Sequence, residues 1–162
     1  MRQLRYLSIG AVLFALGAHA QAVSTTDQTF LQKQAQGTSY ELAIAKLAAQ
    51  KATKPDMRNY AQMVVTDHDQ LNSQLQQLAQ SKGVTLPSTM TAKQQANLSN
   101  LQDLTGSAFD RQYLNETTRI NKEDKQQDQQ ELSATQDFSV RSFVQTLQSA
   151  DQKHYKAAQN LK

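Results

Sequence analysis

Apolar side chains recur at steps of three and four along four long stretches of this chain, and no stretch alternates apolar with polar residues. That period belongs to α-helices that bury one face, and it argues against a sheet. From about Asp27 to Ala52, the residues Phe30, Gly37, Glu41, Ile44 and Ala48 share a face, which Tyr40 and Leu47 widen. In the next stretch Met63, Val64, His68, Leu71, Leu75 and Leu78 form the seam, and Gln76 and Gln77 point away from it. A third, about Ser107 to Leu132, turns Phe109, Tyr113, Leu114, Thr117 and Ile120 inward. The fourth, about Phe138 to Leu161, carries Val140, Phe143, Leu147, Ala150, His154, Ala158 and Leu161.

Local signals place the boundaries. Thr26 or Asp27 is the expected N-cap of the first helix. In "KATKPDMRNY", Thr53 is the expected cap of the second helix, Pro55 fits its first turn, and Asp56 complements the helix dipole. Gly83 and Pro87 end that helix, and "VTLPSTMT" is a loop. A shorter helix, about Ala92–Leu104, carries Leu98, Leu101 and Leu104 and stops at Gly106. Asp137 caps the last helix. Beyond Asn121 the run "NKEDKQQDQQE" is polar all round, so that end of the third long helix is expected to be exposed or frayed. A short turn makes neighbouring helices antiparallel. The expected fold is therefore all-α, an antiparallel four-helix bundle with a short extra helix before the third long one. Residues 21–162 form its single domain.

The first twenty residues read as a cleavable signal. Arg2 and Arg5 precede an apolar run, and Ala18-His19-Ala20 supplies the cleavage site. The run is too short to span a bilayer, which needs about 20 residues. Cleavage is expected after Ala20, with Ala22 as the second choice, and the mature chain is expected in the periplasm or cell envelope without a transmembrane segment. Removing Arg2 and Arg5 leaves 15 basic against 14 acidic residues, so the basic balance of the full chain does not point to nucleic acid as a partner. The chain has no cysteine, which excludes disulfides, thiolate metal sites and a cysteine nucleophile.

Chemistry concentrates in the interior. Glu41, His68 and His154 lie on seams of three different helices. Glu41 stands about eleven residues before the end of its helix and His68 about thirteen after the start of the next. At about 1.5 Å per residue they differ by some 3 Å in depth. Inward carboxylates and imidazoles on facing helices are how bundles hold metals. Two readings follow: a metal-free polar cluster with a structural role, which is preferred, or a single divalent metal ion held by Glu41, His68 and His154. A di-iron centre is not expected, because Val65 stands where Glu-x-x-His needs an acid before His68. Neither a phosphate loop nor a serine nucleophile elbow is present, so no catalytic residue is singled out. An envelope chaperone or adaptor using the glutamine-rich faces, with an envelope protein as partner, is a third reading.

The segments "YELAIAKLAAQKATKPDMRNYAQMVVTDHDQLNSQLQQLAQSKGVTLP", "LSNLQDLTGSAFDRQYL" and "LQSADQKHYKAAQNL" resemble a bacterial envelope family, domain of unknown function 4142. The resemblance implies a ferritin-like fold and an envelope location. It also implies a polar set of one Glu and three His on successive long helices. Those positions carry over as Glu41, His68, Asn121 and His154, with asparagine standing where relatives have the third histidine. Asp124, one turn on, is the residue that could compensate.

Overall fold

The computed structural model describes residues 23–161, which form five helices and, within that range, no strand. They are α1 (Thr25–Lys51), α2 (Pro55–Lys82), α3 (Ala92–Asp103), α4 (Gly106–Ala134) and α5 (Phe138–Gln159). The expected signal segment and its cleavage site at Ala20 lie outside the described residues. Among the described residues no helix is long and apolar enough to cross a membrane.

The caps explain the boundaries, with two corrections. Ser24, rather than Thr26 or Asp27, caps α1. Its hydroxyl accepts from the Asp27 amide at 3.0 Å, while the Asp27 carboxylate accepts from the Ser24 amide at 3.2 Å. Thr53 does not cap α2: the N-cap is Lys54, with no side-chain bond. Thr53 is instead drawn to buried Asp110 on α4, donating its amide at 3.0 Å and its hydroxyl as well. This ties the α1–α2 turn to a third helix. Pro55 sits in the first turn of α2, and Gly83 closes that helix at φ 67°, a left-handed conformation that glycine adopts without a Cβ penalty. Asp137 caps α5, accepting from the amides of Ser139 and Val140 at 2.9 and 3.0 Å.

Helix α1 packs along α2 and α4, and α5 packs along the other sides of α2 and α4. The short α3 rests on α1 and α4. On α1 the most buried positions are Leu31, Ala45 and Ala48, while Gly37, Glu41 and Leu47 are half-buried. The helix is thus rotated slightly from the expected face. On α2, Val64, His68, Leu71 and Leu75 are buried, and Gln76 and Gln77 are exposed.

The apolar core is not continuous. One cluster gathers Tyr40, Ile44, Ala48, Met57, Val64, Phe109, Tyr113 and Ile120 near the α1–α2 turn. The other gathers Phe30, Leu31, Leu71, Leu75, Val140, Val144 and Leu147 at the opposite end. On each long helix the switch between clusters falls among polar residues: Gln36 to Ser39 on α1, just before Glu41, then His68 on α2, Asn121 to Asp128 on α4, and Asp151 and His154 on α5. A polar layer therefore crosses the molecule at mid-height.

The second half of α4 is a further correction. It is neither frayed nor wholly exposed: the helix runs to Ala134, with Asp128 at 0% and Glu131 at 3% exposure. Periodicity there is helical but written in acids, and carboxylic acids can be buried when they keep their protons.

Candidate functional site

The polar layer brings together the three residues singled out from the sequence. The His68 Nε2 atom stands 3.4 Å from Glu41 Oε2, with the histidine 3% exposed. That is ion-pair distance rather than a well-formed hydrogen bond, and neither His68 ring nitrogen has a hydrogen-bond partner among the described residues. The His68 and His154 rings stack at 5.3 Å between centroids. His154 Nε2 meets Asp67 Oδ2 at 2.8 Å, and Lys153 donates to the same carboxylate at 2.7 Å. Asn121 does not reach the group: its side-chain amide donates to the Thr117 carbonyl at 2.7 Å, on its own helix.

The two imidazoles are pushed in opposite directions. Burial opposes a proton on His68, but Glu41 together with Asp67 and Asp69 outweighs it and raises the imidazole above its ordinary value. Burial depresses His154 below its ordinary value, more than its hydrogen bond to Asp67 raises it, and the charge of His68 adds to the depression. The stacked pair thus favours one positive charge, on the His68 side. Asp67 is held low despite burial by its bonds to Lys153 and His154.

Sequence reasoning reached Glu41, His68 and His154, and Asp124 as a residue that could compensate for Asn121, but not the burial of the acids around them. Burial, then the charges of Glu41 and the neighbouring aspartates, pushes Asp124 and Asp151 far above the carboxylate range. Burial, and then the charge of Glu41, raises Asp128 as well, although Asp151 beside it works the other way. Among the described residues neither Asp128 oxygen has a hydrogen-bond partner. Glu116 is the contrast: burial opposes its charge, but Arg119 donates to both carboxylate oxygens at 2.6 and 3.1 Å, Tyr40 donates at 2.7 Å, and its carboxyl is held low. The available signal was the spacing of Asn121, Asp124 and Asp128, which continues the α4 seam at steps of three and four.

A cleft of about 230 Å³ between α1, α3 and α4 connects this layer to solvent, with Gly37, Tyr40, Glu41, Asn97, Arg119 and Asp124 on its walls. Glu41, on its wall, stands 3.4 Å from His68. Chemically, the layer sets raised carboxyls beside a pair of stacked imidazoles next to a cleft. Among the described residues no group of three or more His, Asp or Glu side chains stands in an arrangement that could hold a metal ion.

Fold and site together define an all-helical protein whose apolar core is divided by an acid–histidine layer. The chain belongs to the family described as domain of unknown function DUF4142, whose pattern matches residues 15–161. Its fold is similar to that of a DUF305 fragment from Deinococcus radiodurans, at TM-score 0.77 and 13% identity, covering 86% of this chain and 97% of that one. It is also similar to CopM solved in its Cu(I)-bound form, at TM-score 0.71 and 16% identity, covering 85% and 96% of the two chains. The Cu(II)-bound form of CopM matches at TM-score 0.71 and 15% identity, with 83% and 94% covered. No curated protein matches this chain significantly.

Proposed function

We propose that this is an exported helical protein of the cell envelope with a binding or structural role, of the kind that serves under stress, rather than a catalyst. In this reading residues 1–20 are removed and 21–162 form one ferritin-like antiparallel four-helix bundle with a short extra helix. The closed cycle of contacts α1–α2–α5–α4 supports the bundle. The observation that carries the role is pairing of opposite groups within the polar layer. Glu41 faces His68 at 3.4 Å, and Asp67 meets His154 at 2.8 Å. These groups neutralise one another instead of presenting a nucleophile and base to a substrate.

A second reading is favoured by one feature, the two unpartnered nitrogens of buried His68. Here Glu41, His68 and His154 are ligands of a single divalent ion, with a side chain turning from Asp67 to complete the set. CopM, a protein of similar fold, was solved with copper bound. Elemental analysis of protein purified from its native compartment separates the two readings. The structural role expects no metal above trace. About one ion per chain, lost in His68→Ala, would replace it with the metalloprotein. N-terminal sequencing of the same sample is expected to begin at Gln21, or at Val23. An intact Met1 would remove the export reading.

A further inference from the structure

Two clefts open between α1 and α4, and they are parts of one groove. The first, of about 230 Å³, is the one on whose walls Glu41, Arg119 and Asp124 stand. The second, of about 350 Å³, lies where α1 begins and α4 ends, with Thr25, Thr29, Phe30, Gln130 and Glu131 on its walls. Lys33 and Gln127 line both, so the clefts meet there. Apolar surface comes from Ile120 in the first and from Phe30 and Ala134 in the second. The groove also holds two carboxyls that lack a cation. Glu131 is 3% exposed, and its Oε1 atom has no hydrogen-bond partner among the described residues. Asp124 is half-buried, and neither acid makes an ion pair among the described residues.

The cations on the walls do not serve these acids. Arg119 is taken by Glu116 and Glu123. Lys33 and Lys93 are exposed and make no ion pair among the described residues. A charged group in water needs no partner, whereas a buried one does. The demand in the groove is therefore for positive charge brought from outside. Burial, then Asp27, pushes the Glu131 carboxyl up to about 7, and burial, then Glu41 and the neighbouring acids, raises Asp124. Both shifts are those of acids short of a counter-charge. The spacing says how that charge must be arranged. Asp124 and Glu131 are seven residues apart on α4, two turns, which puts them on one face about 10 Å apart. A single ion cannot touch both, and among the described residues no group of three or more His, Asp or Glu could hold one. An extended chain gains about 1.25 Å per bond, so about eight bonds between two ammonium groups span the gap.

We propose that the α1–α4 groove binds a linear aliphatic diamine or polyamine, with one ammonium group at Glu131, a second at Asp124 and the methylenes between them along Gln127. Each ammonium gives a buried carboxyl the charge-assisted partner it lacks, and a carboxyl that holds a proton releases it to solvent. The methylenes cover apolar wall and displace water from it. Lys33 is the charge that opposes such a ligand where the clefts meet, and its exposed side chain turns aside into water. The proposal names a ligand for the binding role given above. It stands apart from the imidazole pair, so metal analysis and the titration below fail independently.

Calorimetric titration of the purified protein at low ionic strength compares heptamethylenediamine, which fits the span, with trimethylenediamine, which carries the same charge on a shorter chain. The longer diamine is expected to bind one per chain and about tenfold or more tighter. Glu131→Gln and Asp124→Asn are each expected to weaken it about tenfold or more. Asp103→Asn removes the same charge from an exposed position on α3 and is expected to leave binding unchanged. Equal affinity for the two diamines, or an equal loss in Asp103→Asn and Glu131→Gln, would overturn the site. Should the groove variants not fold, amide shifts of the wild-type protein on adding heptamethylenediamine decide. They are expected to gather in the first three turns of α1 and the last three of α4, and shifts spread over the exposed acids, or none, overturn it.

Discussion

Replacing Glu41 with glutamine keeps the shape of the side chain and removes one charge from the polar layer, where that charge acts in two opposite directions. Towards His68, 3.4 Å away and 3% exposed, it is favourable, because it holds the buried imidazole protonated. Towards Asp124, Asp128 and Asp151 it is unfavourable, because it is among the charges that push those carboxyls up. A hydrogen bond to a charged group contributes about 1.5–3 kcal/mol and a neutral one about 0.5–1.5 kcal/mol, so the exchange costs about 1–1.5 kcal/mol while His68 is charged. The long contact and the 13% exposure of Glu41 put the cost nearer the lower figure. His68 is raised above its ordinary value, so this contribution is fully present below about pH 6.5 and is lost as pH rises through its folded value. The aspartates begin to ionise as pH rises, and from there removing Glu41 relieves repulsion. Glu41→Gln is therefore expected to destabilise at about pH 5.5 by about 1 kcal/mol, some 2–4 °C in Tm for a chain of this size. At about pH 9 the loss should vanish or reverse. Urea unfolding followed by circular dichroism, with unchanged m, measures it. The same loss at both pH values would refute the assignment of opposing charges around Glu41.

Leu75 is fully buried in the cluster formed with Leu71, Val140 and Val144, and Leu75→Ala is expected to cost about 2–5 kcal/mol by urea unfolding. Gln77→Ala, on the exposed side of the same helix, should stay within about 0.5 kcal/mol, and the reverse order would mean the phase of α2 is wrong. Gly37 lies inside α1 on the cleft wall, with nothing within 4 Å of an added Cβ, so Gly37→Ala should raise stability by about 0.5–1 kcal/mol. A loss of stability there would show that the cleft needs its glycine.

The chain by itself determined its helices and the depth of its histidines. Steps of three and four over long segments admit only helices that bury one face, and Gly83, Pro55 and Asp137 mark ends through backbone chemistry local to each. Glu41 and His68 meet because a fixed rise per residue, counted from a short turn, sets equal depth on adjacent antiparallel helices. What lies across from a residue is not written beside it. Thr53 looked like a cap, but Asp110, 57 positions away, took its donors. His154 looked like a partner for Glu41, yet its nitrogen went to Asp67, 87 positions away. The run from Asn121 to Glu131 read as solvated because local sequence shows carboxylates in their ordinary, charged state. Only packing against Asp27, Glu41 and Asp151 removes water and adds neighbouring charge. Those two effects let Asp128 and Glu131 keep their protons, and so turn an apparently polar helix face into an interior one.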